Sequence, residues 1–199
     1  LELVTSSLAL HWTNDLPGVL AQLRRALKPG GLLLAALFSG DTLSELRAAL
    51  TEAEAAECGG ASPHVSPFVD AAEAGSLLQR AGFSLPVVDV DTLTLTYTDA
   101  FALMHDLRAM GETNALRLRV RSFSRRNVFL RAAYLYAQRF GRPDGRIPAT
   151  FQIAFLTGWS PAADQQQPLR PGSAVARLAD ALGTEELSSG EKVGGSETD

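Results

Sequence analysis

Three histidines and a few well-placed acids carry most of the acid–base chemistry available to this 199-residue chain. His11 and Trp12 close an apolar run. There an imidazole can accept or donate a proton near neutral pH, and the indole can floor a substrate pocket. The plainer alternative places Trp12 in a core and His11 in a loop. Asp41 follows a second apolar run and can orient a cationic or hydroxyl-bearing group, or simply cap the next helix. His64 lies in a proline-flanked loop, whereas His105 sits beside Asp106 on an exposed helix face. His11, His64 and Asp41 match no metal-ligand spacing, so no metal is expected. Cys58 has no basic neighbour in sequence to activate its thiol. No serine occupies a G-x-S-x-G turn, no glycine loop cradles phosphate, and no glycosidase-like pair of carboxylates can be identified.

The scaffold for these groups is globular in composition: 46% apolar, 20% charged, net charge −4. That is enough chain for one ordinary domain whose core needs no disulfide or metal. A single cysteine fits a reducing compartment, and a cytoplasmic protein is expected. The longest apolar run, Leu32 to Phe38, is too short to cross a bilayer. The first residue is not Met and no secretory signal opens the chain, so it begins after processing or inside a longer gene product. Charge is uneven: Arg117 to Arg146 holds nine arginines against one acid, Asp144. This window reads as a helix face that pairs with the acidic remainder or docks a protein. A sequence pI of about 5.4 argues against a nucleic-acid binder.

Leu1 to Leu10 is β-compatible and apolar enough to be a strand buried on both faces. Asp15 caps a helix with Pro17 in its first turn, and Pro29-Gly30-Gly31 ends it. Leu32 to Phe38 is a second buried strand, completing a βαβ unit with parallel pairing. Thr42 and Glu45 have capping-box spacing before another helix. Cys58 to Phe68 is a loop. Asp70 and Glu73 open a helix that ends at Gly82, and Val87 to Tyr97 is a strand whose second half alternates as if one face were wetter. Asp99 and Ser124 begin two further helices, the first with Leu103, Leu107 and Met110 on its apolar side. Phe151 to Trp159 is a last, antiparallel strand. Residues 1–160 should form the domain. Residues 161–199 should be a largely disordered tail with a short helix over 173–182.

Several segments carry a family resemblance. "SSLALHW" (Ser6 to Trp12), "NDLPGVLAQLRRALKPGGLLLAALFSGDTLSELR" (Asn14 to Arg47), "SPHVSPF" (Ser62 to Phe68), "MGETN" (Met110 to Asn114) and "PATFQIAFLTGW" (Pro148 to Trp159) do so together. The set resembles the C-terminal half of class I S-adenosylmethionine-dependent methyltransferases. Within them it is similar to the branch uniting the malonyl-carrier-protein methyltransferase of biotin synthesis with mitochondrial complex I assembly factor 5. "SPHVSPF" and "MGETN" point to the assembly-factor side.

The resemblance implies an α/β, Rossmann-like sheet of parallel strands with a final antiparallel strand and helices on both faces. It implies S-adenosylmethionine as cofactor and a protein substrate or carrier protein as partner. Ser6, Ser7, Leu8 and Ala9 would line the methionine side of that cofactor. His11, Trp12, Asp41 and His64 would face the substrate. His11 and Glu112 are the candidate catalytic groups, although Glu112 is equally a helix-end turn residue. The glycine loop and ribose-binding acid of the family are missing from this sequence, so the isolated chain is expected to be inactive. Its first strand would then be an open edge, available to a partner or to a second copy in a homodimer. The competing expectation is a non-catalytic interaction domain that docks through that edge and the arginine-rich face.

Overall fold

The computed structural model describes residues 1–116, 119, 125–165, 173 and 178–185. Residues 1–163 form one compact unit and residues 164–199 a separate one. The first unit is α/β. Its sheet contains β1 (Leu3–Ser7), β2 (Leu32–Phe38), β3 (Ser84–Tyr97) and β4 (Ile147–Trp159) in the order β1-β2-β4-β3. β1 runs parallel to β2, and β4 is antiparallel to both β2 and β3. Helices α1 (Leu16–Ala26) and α3 (Ala71–Arg80) cover one face. The other face takes α2 (Ser44–Cys58), α4 (Ala100–Ala109) and α5 (Arg126–Phe140).

The βαβ unit forms as its sequence dictates. The Asp15 carboxylate accepts the Gly18 N–H at 2.9 Å, Pro17 sits in the first turn, and Leu20 is buried against the sheet. Gly30, at φ +74°, turns the chain into β2. Strand alternation then divides β2 between two cores. Leu33 and Leu37 join Leu20, Leu78 and Leu156 under α1 and α3. Phe38 joins Phe151, Leu46, Leu103 and Tyr136 under α2, α4 and α5. The buried Tyr136 hydroxyl donates to the Pro148 carbonyl at 2.7 Å. Burial, followed by the nearby Glu45 carboxylate, pushes that phenol well above its ordinary pKa.

Several sequence expectations need correction. β1 is the expected open edge, pairing with β2 alone, but it is not buried on both faces, since Leu3 is 52% exposed. β3 is the opposite edge. It starts at Ser84, and Leu93 and Leu95 are exposed along with Thr92 and Thr94. The two leucines pair in register with buried Phe151 and Ala149 but stand on the outer strand, outside the cluster that the helices bury. Thr42 and Glu45 form no capping box. Leu43 occupies the cap position at φ +54°, and Thr42 Oγ1 instead donates to Ser39 O at 2.8 Å and accepts from Gln152 N at 2.9 Å. Met110 is exposed beyond the end of α4. The last strand starts earlier than expected, at Ile147. In the second unit α6 spans Leu178–Leu182. The rest of the expected helix over 173–182, Ser124, and the tail from 186 onward lie outside the described residues, except Ser173.

Candidate functional site

Parallel pairing puts the carboxyl ends of β1 and β2 side by side, the place where open α/β sheets gather ligands. Leu8 leaves β1 at φ +47°, its N–H donating to Ala36 O at 2.8 Å. A 3₁₀ turn over Leu10–Trp12 follows, anchored by buried Leu10. This turn lays the His11 ring 4.9 Å from that of Phe38, 6.1 Å from Phe68 and 5.6 Å from Trp12. His11 is thereby enclosed, its side chain only 4% exposed, while Trp12 remains exposed and is no core residue.

The second half of the site comes from the end of α4. Gly111, at φ +85°, reverses the chain, and the Glu112 N–H caps the helix by donating to Leu107 O at 2.8 Å. The Glu112 carboxylate then lies 3.2 Å from His11 Nε2. A carboxylate on one ring nitrogen fixes the ring's orientation and holds a proton at Nε2. Nδ1 is buried and has no partner among the described residues. The arrangement suits a proton-holding imidazole walled by aromatic rings.

Phe68 is delivered by the 59–70 loop, which side chains of other elements hold down. Glu54 on α2 accepts both the N–H and the hydroxyl of Ser62, and His64 Nε2 lies 3.2 Å from the same carboxylate. Arg47 donates to Ser66 O at 3.3 Å, and Asn114 Nδ2 donates to Pro63 O at 2.9 Å. Burial by itself would raise the Glu54 pKa. The Ser62 bonds and the His64 ring outweigh it and hold the carboxyl below its ordinary value. A cleft of about 420 Å³ opens beside this assembly, with His11, Phe38, Pro67, Phe68, Glu73 and Arg80 in its lining.

The structure therefore brings His11, Trp12 and Glu112 together. Ser6, Ser7, Leu8 and Ala9 lie just before His11, and the last three are exposed. Asp41 is exposed in the turn after β2, where its backbone N–H meets Gln152 Oε1 at 3.3 Å. His64 engages Glu54 rather than the His11 group. Sequence reasoning missed Phe38, Phe68, Glu54 and Asn114. Phe68 and Asn114 stand inside the two most distinctive motifs, a signal that was available. Glu54 is one acid among several on a helix and gave none.

The arginine window is largely engaged within the fold. Arg131 and Arg139 reach Glu57 and Glu52 of α2 at 3.3 and 2.7 Å, Arg125 donates to Glu57 O, and Arg146 donates to Thr96 O. Arg117 and Arg121 lie outside the described residues. Among the described residues no group of three or more His, Cys, Asp or Glu could hold a metal ion, and no helix is long and apolar enough to cross a membrane.

Residues 1–35 match the family model for a methyltransferase domain. The mitochondrial arginine-hydroxylase NDUFAF5 of Dictyostelium discoideum is 46% identical over 185 residues, covering 92% of this chain and 42% of that protein. Human NDUFAF5 is 45% identical over 174 residues, 87% of this chain and 50% of its own length. The malonyl-[acyl-carrier protein] O-methyltransferase of Xylella fastidiosa is 41% identical over 163 residues, 82% and 53% of the two chains. The chain spans about half the length of these curated relatives. The expectation of a cytoplasmic protein is overturned, because the matching NDUFAF5 proteins are mitochondrial. By these matches the chain is similar, over most of its own length, to the NDUFAF5 arginine hydroxylases and to the malonyl-carrier-protein O-methyltransferases.

Proposed function

We propose that this chain is part of a methyltransferase-type protein that binds S-adenosylmethionine and modifies a protein substrate during assembly of respiratory complex I. The observation that carries the reading is the meeting of three distant motifs at one point. His11, Phe68 and Glu112 come together at the carboxyl ends of β1 and β2. The residues present suit one wall of the cofactor site. Ser7, Leu8 and Ala9 are exposed where the chain leaves β1, and their small or apolar side chains suit the methionine portion. When bound, the cofactor would supply an activated methyl group. His11 and Trp12 would form the adjoining substrate wall, with Glu112 holding a proton on His11 Nε2 and the rings of Phe38 and Phe68 excluding water. Asp41 and His64 would stand further out on the substrate side.

Calorimetry of the complete gene product with S-adenosylmethionine tests the cofactor assignment, and absence of any heat of binding removes it. Mass spectrometry of complex I subunits from cells lacking the gene tests the partner. An unaltered modification pattern removes the substrate assignment, and the missing mass tells an added methyl group from an added oxygen.

A second reading is docking to a partner through the open side of the sheet, including the homodimer that β1 would allow. It is favoured by the uncovered apolar face, where Leu3, Leu34, Val87 and Phe155 are all exposed. Sedimentation of the complete gene product at several concentrations tests the homodimer.

A further inference from the structure

We propose that residues 60–68 form a strap that opens as a unit over His11 and controls access to its ring. The inference rests on the reading of His11 as the substrate-facing group, and adds to it the way in. Backbone attachment is the first reason. Segment 60–68 makes no backbone–backbone hydrogen bond among the described residues, although it lies against the core. The nearest such bonds are at its two ends, from Gly59 N to Ala55 O and from Gly40 N to Val69 O. Between those points polar side chains from other elements hold it: Glu54 on Ser62 and His64, Arg47 on Ser66 O, and Asn114 on Pro63 O. A segment held this way can leave without breaking a strand ladder or a helix, so its opening is separable from unfolding.

Both ends are suited to turning. Gly59 sits at φ +75°, and neither Gly59 nor Gly60 has any atom within 4 Å of where a Cβ would stand. Asp70, just past the other end, starts α3 as its N-cap and so fixes the far pivot. What the strap covers is specific. Phe68 presents its ring to His11 and to Phe38, each at 6.1 Å between centroids. His11 Nδ1 is buried without a partner among the described residues in this closed arrangement. Lifting Phe68 exposes the imidazole to a reacting group. Closing returns it to an apolar enclosure, the sequence of events by which lids admit substrate and then exclude water.

The test uses the complete gene product, with hydrogen exchange followed by mass spectrometry and with diethyl pyrocarbonate as a probe of histidine access. Glu54→Gln and, more mildly, Asn114→Ala each weaken one latch. The Ser62 amide, the one in 60–68 with a recorded acceptor among the described residues, should then exchange faster by on the order of tenfold while β2 and α3 keep their protection. Carbethoxylation of His11 should rise in step. Faster exchange of the strap with unchanged His11 reactivity overturns the proposal, as does a strap that exchanges only together with α2 and α3. Asn114→Ala decides the matter if Glu54→Gln fails to fold. Titration of the unmodified protein with S-adenosylmethionine separates the two claims. A protein that binds cofactor but has a rigid strap removes only the strap. One that binds none but has a moving strap removes only the cofactor reading.

Discussion

His11 Nε2 and Glu112 Oε1 stand 3.2 Å apart although 101 residues separate them in the chain. The contact ties the turn after β1 to the end of α4. Both side chains are largely withdrawn from water, with 4% and 19% of their surface exposed. Removing one partner therefore strands the other in a poorly solvated place. Glu112→Ala should destabilise the complete protein by about 1–3 kcal/mol. Glu112→Gln should cost less, since its amide oxygen still accepts from Nε2–H. Urea midpoints of the two variants measure this, and equal midpoints for Glu112→Ala and the unmodified protein would show that the contact contributes nothing to folding.

Glu54 links folding to pH. Burial works to raise its pKa, but the Ser62 bonds and His64 outweigh it and hold the carboxyl below its ordinary value. A carboxyl more acidic in the folded than in the unfolded state stabilises the fold above its unfolded pKa. That contribution disappears as pH falls through the folded value. Glu54→Gln should therefore be less stable than the unmodified protein near neutrality. The gap should narrow as pH drops below the ordinary glutamate range and close beneath the folded pKa. Denaturant midpoints of both proteins, taken from neutral pH into the acid range, give the answer, and a gap that stays constant throughout refutes the linkage.

The elements of the first unit were legible because their signals are local. Asp15, Asp70 and Asp99 each cap the helix that their positions announce, and Leu32–Phe38 is a strand over the span its apolar run marks. Local pattern failed where a distant partner decided the outcome. Thr42 and Glu45 have the spacing of a capping box, yet β4 supplies Gln152 and Thr150 as better partners. Leu93 and Leu95 alternate like a half-buried strand and pair with buried Phe151 and Ala149, yet on the edge strand they stay exposed outside that cluster. The site was half legible for the same reason. His11 and Glu112 were recognisable as groups able to move protons, whereas their contact depends on how α4 packs. Phe68 gains its role only through the side chains that pin its loop.

Glu45 shows what the distant partner is worth. The residue is 8% exposed, and its carboxylate accepts from the Thr150 hydroxyl and, at 3.3 Å, from the Thr150 N–H. It thus joins the first turn of α2 to β4. Glu45→Ala leaves both donors without this acceptor, so a loss of about 1–3 kcal/mol is expected. Thr150→Val removes the hydroxyl and should expose part of the same dependence. If the two sites act as a pair, the double variant will be less destabilised than the sum of the single ones. Strict additivity in chemical denaturation would mean that the two side chains act independently.

Gly40 and Gly59 both have positive φ, at +44° and +75°, but their surroundings differ. Around Gly59 there is open space, so Gly59→Ala meets only the backbone cost of a left-handed alanine, about 1–2 kcal/mol. At Gly40 an added Cβ would collide with Gln152 Oε1. That oxygen accepts from Asp41 N at 3.3 Å and Ser39 Oγ at 3.4 Å, holding the turn that leads from β2 into α2. Gly40→Ala must therefore displace Gln152 as well as strain the backbone, and Ser39, fully buried, then loses its partner. The expected loss exceeds that of Gly59→Ala by about 1–3 kcal/mol. Thermal unfolding of both variants decides it: a Gly40→Ala protein no less stable than Gly59→Ala means that Gln152 yields without loss and that the turn does not depend on it.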